Sequence, residues 1–433
     1  MKIKSAHLLV ILAVGINQVM AQRLNDAELF HALNEQLTEV IVSDGFSPPA
    51  AARIYAYTNI AGYEALVPNY QEYISLAGQI TDYKGVGLQR PLELDEQLLL
   101  VLTYTEVAKK FVYRTHLLDH FSQAYLRDRT DLSETKIQVT RDFAVKWALE
   151  FFDWTSSDGY QVVKETERYS PFLGPAYWEP TPPAYLDALE PNWFKLRPLV
   201  LDSVTEILTA PPLPFDTTKN SDFYKEAYEV YQSVNNLEPE EREIALFWDC
   251  NPLQTQVMGH FNFASRQLNP GGHWLNIVKI TCTGPDFPLI RVAQVYAVTS
   301  IGLHDGFLLA WYEKYRSSLI RPETYINKYI DVDWSPILET PPFPEHPSAH
   351  SVISTTSSVV LSDLVGDNVS FTDNSEEPYG LAVREFNSFE EAAKEAAYSR
   401  LPGGIHYKTG IDAGIDTGRK LGALIVTRIK TKR

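Results

Sequence analysis

The chain has 433 residues, 45% hydrophobic, 12% aromatic and 21% charged, a composition that buries a large core and excludes a disordered tail or a small stapled domain. Lys and Arg total 38 against 55 Asp and Glu, a formal charge of −17, which excludes a polyanionic nucleic acid as partner. The two cysteines, Cys250 and Cys282, are too few for a disulfide framework or a thiolate zinc cluster and leave a single bridge between them open.

Residues 1–21 read as an export signal. Lys2 and Lys4 precede an apolar run from Leu8 to Ile16, and Val19 and Ala21 are the small residues before a cleavage point at Gln22. The run is far shorter than the roughly 20 residues that span a bilayer, and no later stretch is apolar for long enough. The expected product is soluble, periplasmic or extracellular, without stable membrane insertion.

The pattern beyond the signal is helical. From Asp26 to Val42, Leu29, Leu33, Leu37, Val40 and Ile41 recur at intervals of three and four, on one helical face. A second helix opens at Pro48 and Pro49 and runs through Ile54, Tyr57, Ala61 and Ala65 to a stop at Pro68. Further helices are expected over Glu96 to Leu126, Leu132 to Phe152, Asp222 to Ser233 and Arg291 to Leu319. Between Pro171 and Pro214 the chain carries ten of its 27 prolines, with Tyr177, Trp178, Tyr185, Trp193 and Phe194 among its aromatics. Proline stops helices and the aromatics seek a surface, so this stretch reads as an extended strap packed on the body. The predicted class is all-α, two helical bundles side by side. Residues 22–170 form the first half, 171–218 the strap, and 219–433 a C-terminal domain carrying the site.

Three segments of the second half hold the chemistry. In Trp311 to Pro322, Lys314 and Arg321 lie seven apart, which on a continuous helix places two cations on one face; alone, they read as an ordinary exposed basic stripe. Pro347, Ser348, Ala349 and His350 precede the apolar run Val352 to Leu364, so Ser348 is a candidate N-cap and the first turn a candidate anion site. Ser399, Arg400, Leu401, Pro402, Gly403, Gly404, Ile405 and His406 lead into a last helix whose Gly410, Gly414, Gly418 and Gly422 leave one stripe bare for another helix, with His406 on the same row. A cap, a packed ring and a glycine-packed terminal helix account for the second and third segments taken singly.

Taken in order, Lys, six residues, Arg and Pro, then Pro, Ser, a small residue and His, then Ser, Arg, five residues and His, the chain resembles the type 2 phosphatidic acid phosphatase and vanadium haloperoxidase superfamily, and within it the exported vanadium-dependent haloperoxidases. The strap (Trp178, Glu179, Pro180, Thr181, Pro182, Pro183) and Phe247, Trp248, Asn251 and Pro252 extend the resemblance less closely. It implies that Lys314, Arg321, Arg400, Ser348 and the Ala349 N–H hold a tetrahedral oxyanion. His406 would be the axial ligand of vanadate, one per chain, or the nucleophile on phosphorus. His350 would act as acid and base, with Lys314 polarising bound peroxide. Two positions depart from the family: Ala349 stands where Gly is usual, and Gly410 where an Asp often orients the last His. Asp305 is a candidate for that orienting role. Trp311 and Phe343 are candidates for an aromatic pocket wall, and equally for plain core.

Phosphatase and haloperoxidase share this anion cage. The comparable helical half ahead of the strap favours a haloperoxidase using hydrogen peroxide and iodide or bromide. The alternative is an exported acid phosphatase acting through a phosphohistidine. An exported carbohydrate-binding protein would use the aromatics but leaves the coincidence of Lys314, Arg321, His350, Arg400 and His406 without a cause.

Overall fold

A computed structural model describes residues 26–166, 169–252, 254–258, 261–265 and 267–433; the expected export signal lies outside them. The first half holds α1 (Asp26–Asp44), α2 (Pro48–Leu66), α3 (Glu96–Ala108), α4 (Thr115–Asp128), α5 (Glu134–Ser156) and the short α6 (Tyr160–Glu165). After the strap come α7 (Asp222–Asn235), α8 (Pro239–Phe247), α9 (Pro270–Thr281), α10 (Leu289–Ser317), α11 (Pro322–Tyr329), α12 (Ala349–Leu364), α13 (Phe389–Tyr398) and α14 (Lys408–Arg428). Strand structure among the described residues is confined to two antiparallel hairpins, β1 (Gln254–Met258) with β2 (Phe261–Ser265) and β3 (Phe371–Asp373) with β4 (Arg384–Phe386).

Local chemistry sets the helix starts. Ser47, Asp95, Ser133, Ser221, Asn269 and Ser348 each accept a first-turn amide with their side chains, satisfying donors that have no intrahelical partner. The stretch read as one helix from Glu96 to Leu126 is two, because α3 ends at Ala108 and α4 starts at Thr115. Asp44 accepts the amides of Tyr113 and Arg114 and pairs with the Arg114 guanidinium, pinning the break.

The 29-residue α10 is buried nearly all round, as a helix at the centre of a bundle must be. It packs against α2 of the first half and α12 of the second, so both halves share one hydrophobic core, with a smaller cluster around Phe223, Ile320, Tyr325, Ile326, Trp334 and Tyr407. The bare stripe of α14 receives α12: a Cβ at Gly414 would fall 2.6 Å from the Ser348 carbonyl oxygen, and one at Gly422 2.6 Å from the Val359 Cβ. The strap is clamped to α10. The Asp305 carboxylate accepts the Leu199, Val200 and Leu201 amides at 2.7, 2.8 and 3.1 Å, and Trp178 N–H donates to the Ser318 carbonyl. Trp178 and Trp193 are buried.

Candidate active site

Two sequence expectations about helix faces are corrected by the backbone. Lys314 and Arg321 do not share one helix: α10 stops at Ser317, Ser318 adopts the left-handed conformation at φ 48°, and Arg321 becomes the residue ahead of α11. The turn brings both cations to one ring, with Lys314 Nζ 4.9 Å and the Arg321 guanidinium carbon 5.0 Å from the Phe343 centroid. His406 likewise precedes α14, whose capping position is Tyr407. Its inward aim comes from the tight Pro402–Ile405 turn and from a carboxylate, not from the glycine row.

Lys314 and Arg321 are fully buried. Lys314 Nζ donates to the Pro344 and Glu345 carbonyls at 3.0 and 2.9 Å. Arg321 Nε donates to the Phe343 carbonyl at 2.8 Å and NH1 to the Ile405 carbonyl at 2.8 Å. The same NH1 lies 3.3 Å from His406 Nε2, while NH2 is buried with no partner. Burial, then the neighbouring Arg321, holds the Lys314 ammonium well below its usual range. Burial pushes Arg321 down to about 10 and lowers Arg400 against the pull of Asp249.

The residue that orients His406 is Glu345, which the sequence reading missed. His406 Nδ1–H donates to Glu345 Oε1 at 2.7 Å, and the Tyr407 amide donates to the same oxygen at 3.1 Å. A Cβ at Gly410 would collide with the Glu345 carboxylate, so glycine at that position makes room for a carboxylate arriving from another segment. Burial raises Glu345 to about 7 although Lys314 and Arg321 pull it down. Asp305, proposed for this role, is spent on the strap amides and does not reach His406. An acidic residue inside the proline-rich approach to the Ser348 cap, Pro341 to Pro347, was the available signal.

Ser348 caps α12: its Oγ accepts the Ser351 amide at 3.2 Å and the Ser351 hydroxyl at 2.8 Å. Ala349 and His350 open the helix and line a cavity of about 400 Å³ with Arg400 and His406. Arg400 is fixed by Nε to Ser399 Oγ at 3.0 Å and NH2 to the Ala245 carbonyl at 3.2 Å. Burial, with Arg400 and His273 beyond it, depresses His350 well below the ordinary imidazole range, and burial with Arg321 and Lys314 does the same for His406. Trp311 and Phe343, centroids 5.0 Å apart, stand in the cavity wall. The strap supplies Leu186, Asp187 and Leu189 to the same wall, and the Leu189 carbonyl accepts Trp311 Nε1–H and the Tyr315 hydroxyl. Asp249 to Pro252 complete one side. The two cysteines are free and both buried.

Comparison with known proteins matches this geometry. Over residues 328–432 the chain matches the family model of the VCPO second helical-bundle domain. It superposes on the crystal structure of a bacterial vanadium-dependent iodoperoxidase with a TM-score of 0.87 and 37% identity, covering 94% of this chain and 97% of that one. The chain belongs to the vanadium-dependent haloperoxidase family. A bacterial vanadium-dependent chloroperoxidase shares this haloperoxidase's fold at 15% identity, with a TM-score of 0.68, covering 89% and 94% of the two chains. No curated protein sequence matches. The residues of this haloperoxidase fit a vanadate: Arg400, His406 and the start of α12 line one cavity, Arg321 NH1 stands beside His406 Nε2, and Arg321 NH2 is a buried donor lacking an acceptor, which a tetrahedral oxyanion would satisfy; Lys314 and Arg321 themselves lie behind the cavity lining.

Proposed function

We propose that this protein is an exported haloperoxidase that oxidises iodide or bromide with hydrogen peroxide, using one vanadate per chain. The observation that carries the reading is the 2.7 Å contact of His406 Nδ1 with Glu345 Oε1, which favours the tautomer with its proton on Nδ1. With Nδ1–H committed to Glu345 and protonation disfavoured by burial beside Arg321 and Lys314, the Nε2 lone pair faces the guanidinium NH1 at 3.3 Å and is available as a ligand. Bound vanadate supplies a Lewis-acidic centre that activates peroxide without the protein providing electrons or an organic redox cofactor.

The chain's own residues do the rest. Arg321, Arg400, Lys314, Ser348 and the Ala349 N–H hold the anion's oxygens. His350, neutral in the anion-free protein and lining the same cavity, takes up and returns protons at its ring. Phe343 and Trp311, with the strap's Leu189, exclude water and strengthen the fixed charges. Iodide is supported by the iodoperoxidase relative. Export is supported by the basic, apolar and small-residue order of residues 1–21, and no helix among the described residues is long and apolar enough to cross a membrane.

The test is a side-by-side assay of the purified chain, scoring halide oxidation with orthovanadate and peroxide against phosphoester cleavage without vanadate. Vanadate-dependent oxidation that phosphate suppresses is the expected result. Cleavage that depends on His406, without halide oxidation at any vanadate level, would overturn it in favour of the phosphatase.

A further inference from the structure

Beside the oxyanion pocket, three residues far apart in sequence meet in the core. Cys250 Sγ lies 3.3 Å from His273 Nδ1 and 3.7 Å from Glu376 Oε1, and His273 Nδ1 lies 3.1 Å from the same carboxylate oxygen. None of the three is more than 3% exposed. Zinc bonds of about 2.3 Å to sulfur, about 2.05 Å to imidazole nitrogen and about 2.0 Å to carboxylate oxygen give, at tetrahedral angles, edges of about 3.6 Å for S–N, 3.3 Å for N–O and 3.5 Å for S–O. The observed triangle departs from that face by no more than about 0.3 Å on any edge.

The surroundings point the same way. His273 Nε2–H donates to Asp373 Oδ2 at 2.8 Å. Asp373 is itself fixed through Oδ1, which accepts the amide and hydroxyl of Ser375 at 3.0 and 2.5 Å. Both ring nitrogens thus face carboxylate oxygens, Nε2 on Asp373 and Nδ1 on Glu376; a metal would take the place of the Nδ1 proton, with Asp373 on the far nitrogen as the usual support behind a metal-ligating histidine. The Trp248 ring covers His273 at 4.5 Å, stacked at 21°. We propose that Cys250, His273 and Glu376 supply three of the four ligands of a site for a divalent metal of borderline softness, zinc, with a water molecule in the fourth position, distinct from the oxyanion pocket. The metal ties α9 and the segment after β3 to the Asp249–Pro252 stretch of the cavity wall. It thereby fixes Trp248, whose ring stands 6.4 Å from His350.

The experiment uses the full chain, free of any affinity tag, purified after growth with zinc and dialysed. Elemental analysis should give one zinc per chain whether or not vanadate is bound. Exchange for cobalt(II) should produce a near-ultraviolet thiolate-to-cobalt charge-transfer band and visible bands of tetrahedral intensity. Cys250→Ser should abolish the charge-transfer band, Glu376→Gln should lower zinc affinity, and Asp373→Asn should weaken it about 10- to 100-fold. Circular dichroism and phosphate binding at the other site establish that each variant is folded. Folded wild-type protein without stoichiometric zinc, or a cobalt spectrum unchanged by Cys250→Ser, would overturn the proposal; because the first readout needs no variant, a misfolded mutant cannot rescue it.

Discussion

His350 and His406 are both imidazoles depressed first by desolvation and then by nearby cations, yet their hydrogen bonds divide their work. Only His406 has a carboxylate on Nδ1. His350→Ala should therefore leave oxyanion binding within a few-fold while lowering turnover on the order of 100-fold, the usual effect of losing a general acid or base. Vanadate titration and initial rates separate the two, and equal loss of both would contradict the division. Glu345→Gln should weaken vanadate binding about 10- to 100-fold, since the amide no longer enforces the Nδ1–H tautomer. Saturating vanadate should restore most of the turnover, whereas a merely destabilised protein would not recover.

At the scale of elements, segment ends build the site: the end of α10, the start of α12 and the turn before α14. α12 can lie against α14 only because the stripe facing it lacks side chains, and the same stripe begins at Gly410, where the space belongs to Glu345. Gly410→Ala should push that carboxylate off His406 and reproduce the vanadate affinity loss of Glu345→Gln with the fold intact by circular dichroism. The strap is an element of the site as well, because it walls the cavity, and the Asp305 carboxylate alone accepts three of its consecutive amides. Asp305→Ala leaves three buried amides without an acceptor and should destabilise the protein by about 3 kcal/mol. Denaturant titration checks this, and an unchanged midpoint would show that the strap holds without its clamp.

For the whole molecule, the decisive quantity is positive charge held in a buried cavity of an acidic protein. In the anion-free state Lys314 and His350 sit below their usual ranges and Glu345 is raised to about 7. An arriving oxyanion adds negative charge, which raises all three values, so each group binds protons more tightly in the complex. Binding therefore takes up protons and weakens as pH rises through about 7, the sign required by linkage. Calorimetric titration with phosphate in two buffers of different ionisation heat, corrected for the anion's own titration, should show net proton uptake. Net release would contradict the charge assignment. The same binding should raise the melting temperature with increasing phosphate.

The sequence by itself determined the helical class, because three- and four-residue periodicity is a local property; the strap and the cage residues are readings of the same local kind, from proline's missing donor and closely spaced motifs. It placed a capping Ser348 ahead of α12 and a bare stripe on α14, which are again matters of a few residues. Only the tertiary structure decided which carboxylate orients His406, since Glu345 stands 61 residues away and sequence spacing carries no direction between segments. For the same reason Asp305 reads as a candidate in sequence and is a strap clamp in space, and Lys314 and Arg321 converge across a broken helix rather than along a continuous one. The meeting of Cys250, His273 and Glu376 spans 126 residues, a distance over which packing of the shared core, and no local pattern, sets the geometry.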